Sequence, residues 1–254
     1  MRRITILGLE GFPLVKEGDD IAATIVDVAR RNGVGIEDGD VIVVSQKVVS
    51  KAEGRVVDLN DVEPSEEARS IAKLTKKDPR FVELVLRESR RVLKADPHSL
   101  VVEDNRGFTY INSGIDKSNV EGPTRYCLLP EDPDESALRI AERITQLTGR
   151  RVGVVVSDTS ARPFRRGLVN FAIGLAYLDP FRDYRGQEDL FGYVLRVKRV
   201  AVADEIAAAA ELVIGQGRER VPVAIIRGLR ISASKHSARE LAVPREEDLF
   251  RGLP

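Results

Sequence analysis

The stretch from Asp132 to Val156 constrains the fold more than any other part of the chain. Asp132-Pro133-Asp134-Glu135 is a strong helix start: a capping aspartate, a proline at the first helical position and a glutamate spaced for a capping box. Ile140, Ile144 and Leu147 then recur on one helical face, and Gly149 supplies the stop. Residues 152–156, Val-Gly-Val-Val-Val, follow as a buried strand. A long one-sided helix leading straight into an apolar strand demands helices layered on a sheet.

The same alternation recurs elsewhere. The N-terminal Ile4-Thr5-Ile6-Leu7 reads as a first strand, because Glu10 interrupts the apolar run before it could serve as a secretion signal. Asp20 caps a helix whose Ile21, Ile25 and Val28 share a face, with Gly33 at its end. Val41-Ile42-Val43-Val44 predicts a buried strand, continuing through Val48 and Val49. Helices start near Ser65 and at Asp78-Pro79, and a hairpin turns at Asp104-Asn105-Arg106-Gly107. An Ala-rich helix over 203–214 stops at Gly215-Gln216-Gly217, residues 221–226 form the last clear strand, and the tail from Ala233 is polar and basic. The expected class is α/β (α+β), mixed sheets with flanking helices.

Composition removes whole classes of chemistry. Lys plus Arg number 40 and Asp plus Glu number 40, so the net charge is zero, against a nucleic-acid coat or an anionic membrane surface as partner. One cysteine, Cys127, excludes an intrachain disulfide and a Cys-cluster metal site, and two histidines, His98 and His236, make a multi-histidine centre untenable. Cys127 reads as a core residue and the histidines as surface ones. No run approaches the ~20 apolar residues of a membrane helix, and the expected compartment is the cytoplasm. The length of 254 residues corresponds to roughly 1.7 domains, and no linker-like or repeated segment divides it.

Neither a G-x-x-x-x-G-K-[ST] phosphate loop nor a strand–G-x-G-x-x-G–helix fingerprint is present. Three polar segments instead follow apolar strands, where α/β proteins bind ligands. They are residues 112–119, Asn-Ser-Gly-Ile-Asp-Lys-Ser-Asn; residues 157–160, Ser-Asp-Thr-Ser, running into Arg162, Arg165 and Arg166; and Ser45-Gln46-Lys47 with Ser50 and Lys51. Asp158 beside Thr159 offers hard oxygen ligands for Mg²⁺ or Mn²⁺, and the neighbouring lysines and arginines suit phosphate oxygens. That combination points to metal-assisted phosphate chemistry. The plainer readings are that Asp116 and Asp158 form local turns, that 162–166 is a solvated face, and that Gly215-Gln216-Gly217 is a helix stop.

At these segments the sequence resembles the coenzyme F-420:L-glutamate ligases. The matching motifs are Gly11-Phe12-Pro13-Leu14-Val15, Val49-Ser50-Lys51-Ala52-Glu53-Gly54-Arg55, Asn112-Ser113-Gly114-Ile115-Asp116 with Asn119, Gly149-Arg150-Arg151-Val152-Gly153-Val154, Ser157-Asp158-Thr159, Phe164-Arg165-Arg166-Gly167 and Val202-Ala203-Asp204-Glu205-Ile206-Ala207-Ala208. They run in one order from about Leu7 to Leu229.

The resemblance implies one ligase unit over residues 1–254, of one or two subdomains, without the nitroreductase-like domain that some bacterial relatives append. It implies an intertwined homodimer, two Mg²⁺ or Mn²⁺ sites, K⁺, and GTP as co-substrate. The activity implied is addition of L-glutamate to the glutamate-free coenzyme precursor through an acyl phosphate, then of a second, γ-linked glutamate. On that likeness Phe12, Pro13, Leu14, Val15, Gln46, Lys47, Lys51 and Asn119 bind the nucleotide, as do Ile214, Gly215, Gln216, Gly217, Arg218, Glu219, Arg220 and Val221. Asp116, Asp158 and Thr159 hold the metals, with Gln216 as an uncharged oxygen ligand. Asp116, Asp158 and Lys51 are the expected catalytic groups, and Arg162, Arg165 and Arg166 are candidate phosphate or substrate contacts. Rival readings are a metal-dependent phosphohydrolase on the same loops and a non-catalytic GTP-binding scaffold; a nucleic-acid-binding module is disfavoured by the zero net charge and the lack of an aromatic-rich basic stripe.

Overall fold

The computed structural model describes residues 2–229 and 236–248. In chain order its strands and helices are β1 (Thr5–Gly8), α1 (Ile21–Arg31), β2 (Val41–Ser45), α2 (Gln46–Ala52), β3 (Val56–Asp58), α3 (Glu66–Thr75), α4 (Pro79–Arg87), β4 (Ser89–Ala95), β5 (Leu100–Asp104) and β6 (Thr109–Ile111). The chain continues through β7 (Arg125–Cys127), α5 (Pro133–Thr148), β8 (Gly153–Arg162), β9 (Arg165–Ala176), β10 (Arg182–Asp183), β11 (Arg199–Val200), α6 (Val202–Ile214) and β12 (Val223–Arg227). The protein is thus mixed α/β, with several sheets and, among the described residues, six α-helices.

The helix starts rest on side-chain caps. Asp20, Ser65 and Asp78 accept from the backbone N–H groups of Ala23, Ala68 and Arg80 at 2.9, 3.2 and 2.8 Å. Asp132 takes two such donors, from Asp134 and Glu135. Glu135 faces Arg139, 3.9 Å away, instead of closing a capping box. Gly149 ends α5 at φ 72°, in the left-handed conformation that glycine adopts without strain.

The central sheet has the order β1-β12-β2-β8-β9. Only β2 and β8 run parallel; their neighbours pair antiparallel. Strand alternation divides its side chains between two cores. Ile42, Val44, Val154 and Val156 meet α1 and α5 on one face, and Val41, Val43 and Val155 meet α6 on the other. The α5 helix sits so tightly on β9 that a Cβ added at Gly174 would fall 2.2 Å from the Pro133 carbonyl oxygen. A third core lies under α3 and α4, around Phe81, Val82, Val85, Leu100 and Val102, against the β4-β5-β6 sheet.

Two further sequence expectations change. Val48 and Val49 do not prolong β2: Ser45 is the last extended residue, and α2 follows. Val48, Val49 and Ala52 then pack on the central core, a helical spacing that four consecutive β-branched residues upstream disguise. Residues 157–160 are likewise not a loop, because β8 runs on to Arg162 and pairs along β9, a twelve-residue strand the sequence reading does not contain. Strands β3, β4 and β7 were also not anticipated. His98 and His236 are exposed and Cys127 is buried, as expected. Of the polar tail, residues 233–235 and 249–254 lie outside the described residues, and Ala238–Leu241 forms a 3-10 turn. No helix among the described residues is long and apolar enough to cross a membrane.

Candidate active site

The carboxyl ends of the parallel pair β2 and β8 open into one cleft of about 600 Å³, within the size range of small-molecule sites. Its floor comes from Ser45, Gln46, Lys47, Ser157, Asp158 and Thr159. One wall is the segment from Tyr110 to Asn119; the opposite one is the end of α6 with the turn that follows it, and Phe12, Pro13, Leu14 and Val15 complete the rim.

Helix α2 sets the first cluster. Lys47 and Lys51 stand four residues apart on it, on the same helical face. A helix rises roughly 6 Å over that interval where a strand would span roughly 13 Å, so the change from strand to helix is what brings both ammonium groups to one site. Lys47 Nζ lies 2.5 Å from Asp116 Oδ2 and donates to the Ser118 carbonyl and hydroxyl oxygens at 2.8 and 2.7 Å. Lys51 Nζ donates to the Asn119 carbonyl oxygen at 2.6 Å. Burial, with Lys47 beside it, holds the Lys51 ammonium below its ordinary pKa.

The Asp116 backbone is bolted to Cys127 by two hydrogen bonds of 3.0 and 2.8 Å. Its carboxylate accepts from the Ser118 N–H and hydroxyl at 2.8 and 2.5 Å. Burial would raise this carboxyl, but the hydrogen bonds from Lys47 and Ser118 outweigh it and keep the group below its ordinary pKa. Asp158 is the opposite case. Burial pushes its carboxyl up to about 7, and the negative charge of Asp116 adds to that rise against the Thr159 N–H, Lys47 and Arg106.

Arg106 lies behind this floor. Its side chain is 8% exposed, forms a 2.7 Å ion pair with the equally buried Asp104, and stacks over Phe108 and the cleft-lining Tyr110. Asn112, Ser113 and Asn119 all adopt left-handed backbone conformations (φ 54° at each), the sort of local strain that accumulates at functional sites. Asn119 Nδ2 reaches across to the Gly217 carbonyl oxygen at 3.3 Å, tying the two walls together.

The far wall is built differently. Gly215 closes α6 with φ 73° and ψ 173°, a conformation restricted to glycine. Gly217 N–H then donates to Glu219 at 2.7 Å. Thr159, Asn170, Glu211 and Gln216 form a continuous set of hydrogen bonds, each link between 2.6 and 2.8 Å.

Of the residues singled out in the sequence, Phe12, Pro13, Leu14, Val15, Gln46, Lys47, Lys51, Asp116, Asn119, Asp158 and Thr159 line this cleft. So do Ile214, Gly215, Gln216, Gly217, Glu219, Arg220 and Val221. Arg218 is exposed outside the lining, and Arg162, Arg165 and Arg166 sit around the β8–β9 hairpin tip, also outside it. Tyr110, Asn170 and Glu211 are lining residues the sequence reading missed. A signal existed for Asn170, the polar residue amid the apolar run Val169, Phe171, Ile173 and Leu175.

Among the described residues no three His, Cys, Asp or Glu side chains gather as a metal cluster. A hard divalent cation here would draw on the Asp116 and Asp158 carboxylates, the Thr159 hydroxyl and the Gln216 amide oxygen, with the rest of its shell from a ligand. That all-oxygen donor set fits Mg²⁺ or Mn²⁺.

A cleft lined by two carboxylates and two lysines is the equipment of an enzyme that handles anionic substrates. Residues 11–228 match the family described as F420-0:Gamma-glutamyl ligase. The chain is 46% identical over 251 residues to the coenzyme F420:L-glutamate ligase of Methanothermobacter thermautotrophicus, covering 98% of this chain and 99% of that protein. It is 41% identical to the ligase of the same name from Methanocaldococcus jannaschii, over 98% of each chain. The Archaeoglobus fulgidus ligase is 45% identical over 98% of this chain and 97% of its own length. The chain therefore belongs to the F420-0:gamma-glutamyl ligase family and is a ligase.

Proposed function

We propose that the protein uses GTP to join L-glutamate to the glutamate-free coenzyme F420 precursor and then adds a second glutamate through a γ-linkage. The observation that carries this reading is the convergence of Asp116, Asp158, Lys47 and Lys51 on one cleft, from three separate stretches of chain. The precursor carboxylate attacks the γ-phosphorus of GTP, the bond to the β–γ bridging oxygen breaks, and GDP leaves with the electron pair. The glutamate amine then attacks the acyl carbon of the resulting acyl phosphate, expels phosphate and loses a proton. Each product again ends in a free carboxylate, so the cycle can repeat.

Lys51 and Lys47 offset the charge that builds on the transferring phosphoryl group. Asn119 and the residues 214–221 hold the nucleotide, with Phe12, Pro13, Leu14 and Val15 along its side. Asp116 and Asp158, with Thr159 and Gln216, would hold two divalent cations, Mg²⁺ or Mn²⁺, whose positive charge shields the triphosphate oxygens from the incoming carboxylate. The Asp158 carboxyl, raised to about 7 beside a second carboxylate, is a group that such a charge would keep ionised. K⁺ is a further ion of this reading. Arg162, Arg165 and Arg166 are not needed for it.

A homodimer acting in the cytoplasm belongs to the same proposal. The segment from β10 to β11 projects Leu190, Phe191 and Val197 into solvent at 97, 95 and 90% exposure, which favours a second copy of this chain as its cover. Light scattering on the purified chain tests that point. For the activity, the chain is incubated with the precursor, L-glutamate, GTP and Mn²⁺, and products are weighed by mass spectrometry. Mono- and diglutamyl products with matching GDP support the ligase reading. Phosphate release from GTP without precursor or glutamate would make the protein a phosphohydrolase, and GTP binding without turnover would make it a scaffold.

A further inference from the structure

Glu211 stands on the last turn of α6, in none of the motifs that drew attention in the sequence, yet its carboxylate organises one wall of the cleft. Glu211 Oε1 accepts from Gln216 Nε2 at 2.6 Å, and Oε2 accepts from Asn170 Nδ2 at 2.7 Å. Asn170 Oδ1 accepts the Thr159 hydroxyl proton at 2.7 Å, and Gln216 Nε2 donates also to Thr159 Oγ1 at 2.8 Å. The four side chains close a ring.

An ionised carboxylate only accepts hydrogen bonds, whereas an amide presents donors on one side and an acceptor on the other. Glu211 therefore dictates the direction of the whole ring. Both amides must turn their NH₂ groups to it. Asn170 is then left with an oxygen for Thr159, so the Thr159 proton points at Asn170 and a hydroxyl lone pair is left over. Gln216 Oε1 is left without a protein donor among the described residues, and both Thr159 and Gln216 line the cleft.

We infer that Glu211 is a positioning residue: it fixes the Thr159 and Gln216 oxygens as acceptors toward the cleft and supplies, one bond removed, the negative charge that a neutral Gln216 lacks as a cation ligand. The inference rests on the metal reading of the proposed function. Its chemistry is that of groups behind a metal's own ligands, which set ligand orientation and basicity and whose loss costs roughly 10–100-fold in affinity.

The test counts cations directly. Mn²⁺ is titrated into the full-length chain with a non-hydrolysable GTP analogue, and free Mn²⁺ is read by electron paramagnetic resonance. The wild type is expected to hold two Mn²⁺ per chain. Glu211→Gln, which offers only one acceptor to the two amides, is expected to weaken one of them roughly 10–100-fold and leave the other unchanged. The double variant Glu211→Gln with Gln216→Glu reverses the donor and acceptor of that link, returns a carboxylate to the cleft, and recovers the lost ion. Two unchanged sites in Glu211→Gln overturn the inference and leave the metal reading standing. Two sites weakened together with a lower melting temperature also overturn it, in favour of a structural role. Failure of the wild type to bind Mn²⁺, or binding indifferent to Asp158→Asn, overturns the metal reading itself and the inference with it. If Glu211→Gln alone does not fold, the double variant decides: a second ion supports the inference and its absence overturns it.

Discussion

The two walls of the cleft hold their polar groups by different means. On the side of Asp116, a carboxylate is matched by a full positive charge, with Lys47 Nζ at 2.5 Å and a serine supplying two further donors. On the side of Gln216, the ring of links runs through two amides and a hydroxyl and is anchored on the Glu211 carboxylate. A charge-paired wall responds to the arrival of another charge by repartnering: a cation competing for Asp116 would release the Lys47 ammonium toward incoming phosphate oxygens. An amide wall cannot exchange charge; it offers fixed oxygens in a fixed direction. Between the two lies Asp158, whose carboxyl makes no ion pair among the described residues.

The largest effect is expected at that midpoint. Asp158→Asn should lower ligation by roughly 10³-fold, the scale of losing one preorganised electrostatic group, as measured by GDP release. The fold should not suffer. The carboxyl stands at about 7 in the folded chain, against ~4 in an unfolded one. Its ionisation therefore opposes folding: the stability it leaves in place at low pH is lost as pH rises through 7. Metal-free Asp158→Asn should melt at or above the wild-type temperature at pH 8, with the difference shrinking toward pH 4. A lower melting temperature at pH 8 would show that the carboxylate is held by something the structure does not reveal.

Lys47→Met breaks the charge-paired wall. Asp116 loses its main counter-charge and the triphosphate of the proposed reaction would lose a cation, so turnover should fall roughly 10²-fold, within the range of removing one charge-stabilising donor. Turnover within a few-fold of wild type would mean that the Lys47–Asp116 contact is a resting ion pair with no part in the reaction.

How far this contrast could be read beforehand depended on the kind of signal. Capped helix starts at Asp20, Ser65, Asp78 and Asp132 were legible because a cap is local, one side chain bonding to a backbone group two or three residues on. The apolar strands of the central sheet were legible for the same reason. The α2 helix was not, because Val48 and Val49 are β-branched and follow closely on the strand residues 41–44, and burial against the sheet outweighs their strand preference. Strand β9 was missed because its partner β8 is polar over 157–162, where its side chains meet the cleft and solvent rather than a core. At the site, Asp116, Asp158 and Lys51 lay in recognisable motifs. Glu211 and Asn170 did not: their role exists only across a contact of 41 residues in sequence, to which no local pattern points.

A smaller effect should separate binding from chemistry on the charged wall. Lys51→Ala removes an ammonium that donates to the Asn119 carbonyl and makes no ion pair with a carboxylate among the described residues. The KM for GTP should rise roughly tenfold, about 1.4 kcal/mol, with kcat changed less. An unchanged GTP dependence would remove Lys51 from the nucleotide site and leave Lys47 as the working cation of α2.

The smallest effect tests the boundary of the cleft itself. Arg166 lies on the exposed β8–β9 hairpin beside Phe164 and Leu168, which are 75 and 66% exposed, and it does not line the cleft of its own chain. A solvated arginine there contributes within about 0.5 kcal/mol, so Arg166→Ala should change kcat/KM by no more than roughly twofold. A much larger loss with an unaltered melting temperature would be informative in a specific way. The missing contact would have to come from a surface that this hairpin meets outside its own cleft. If the loss then deepened as the chain was diluted toward monomer, the working site would draw on two copies of the chain, and the two walls described above would be only part of it.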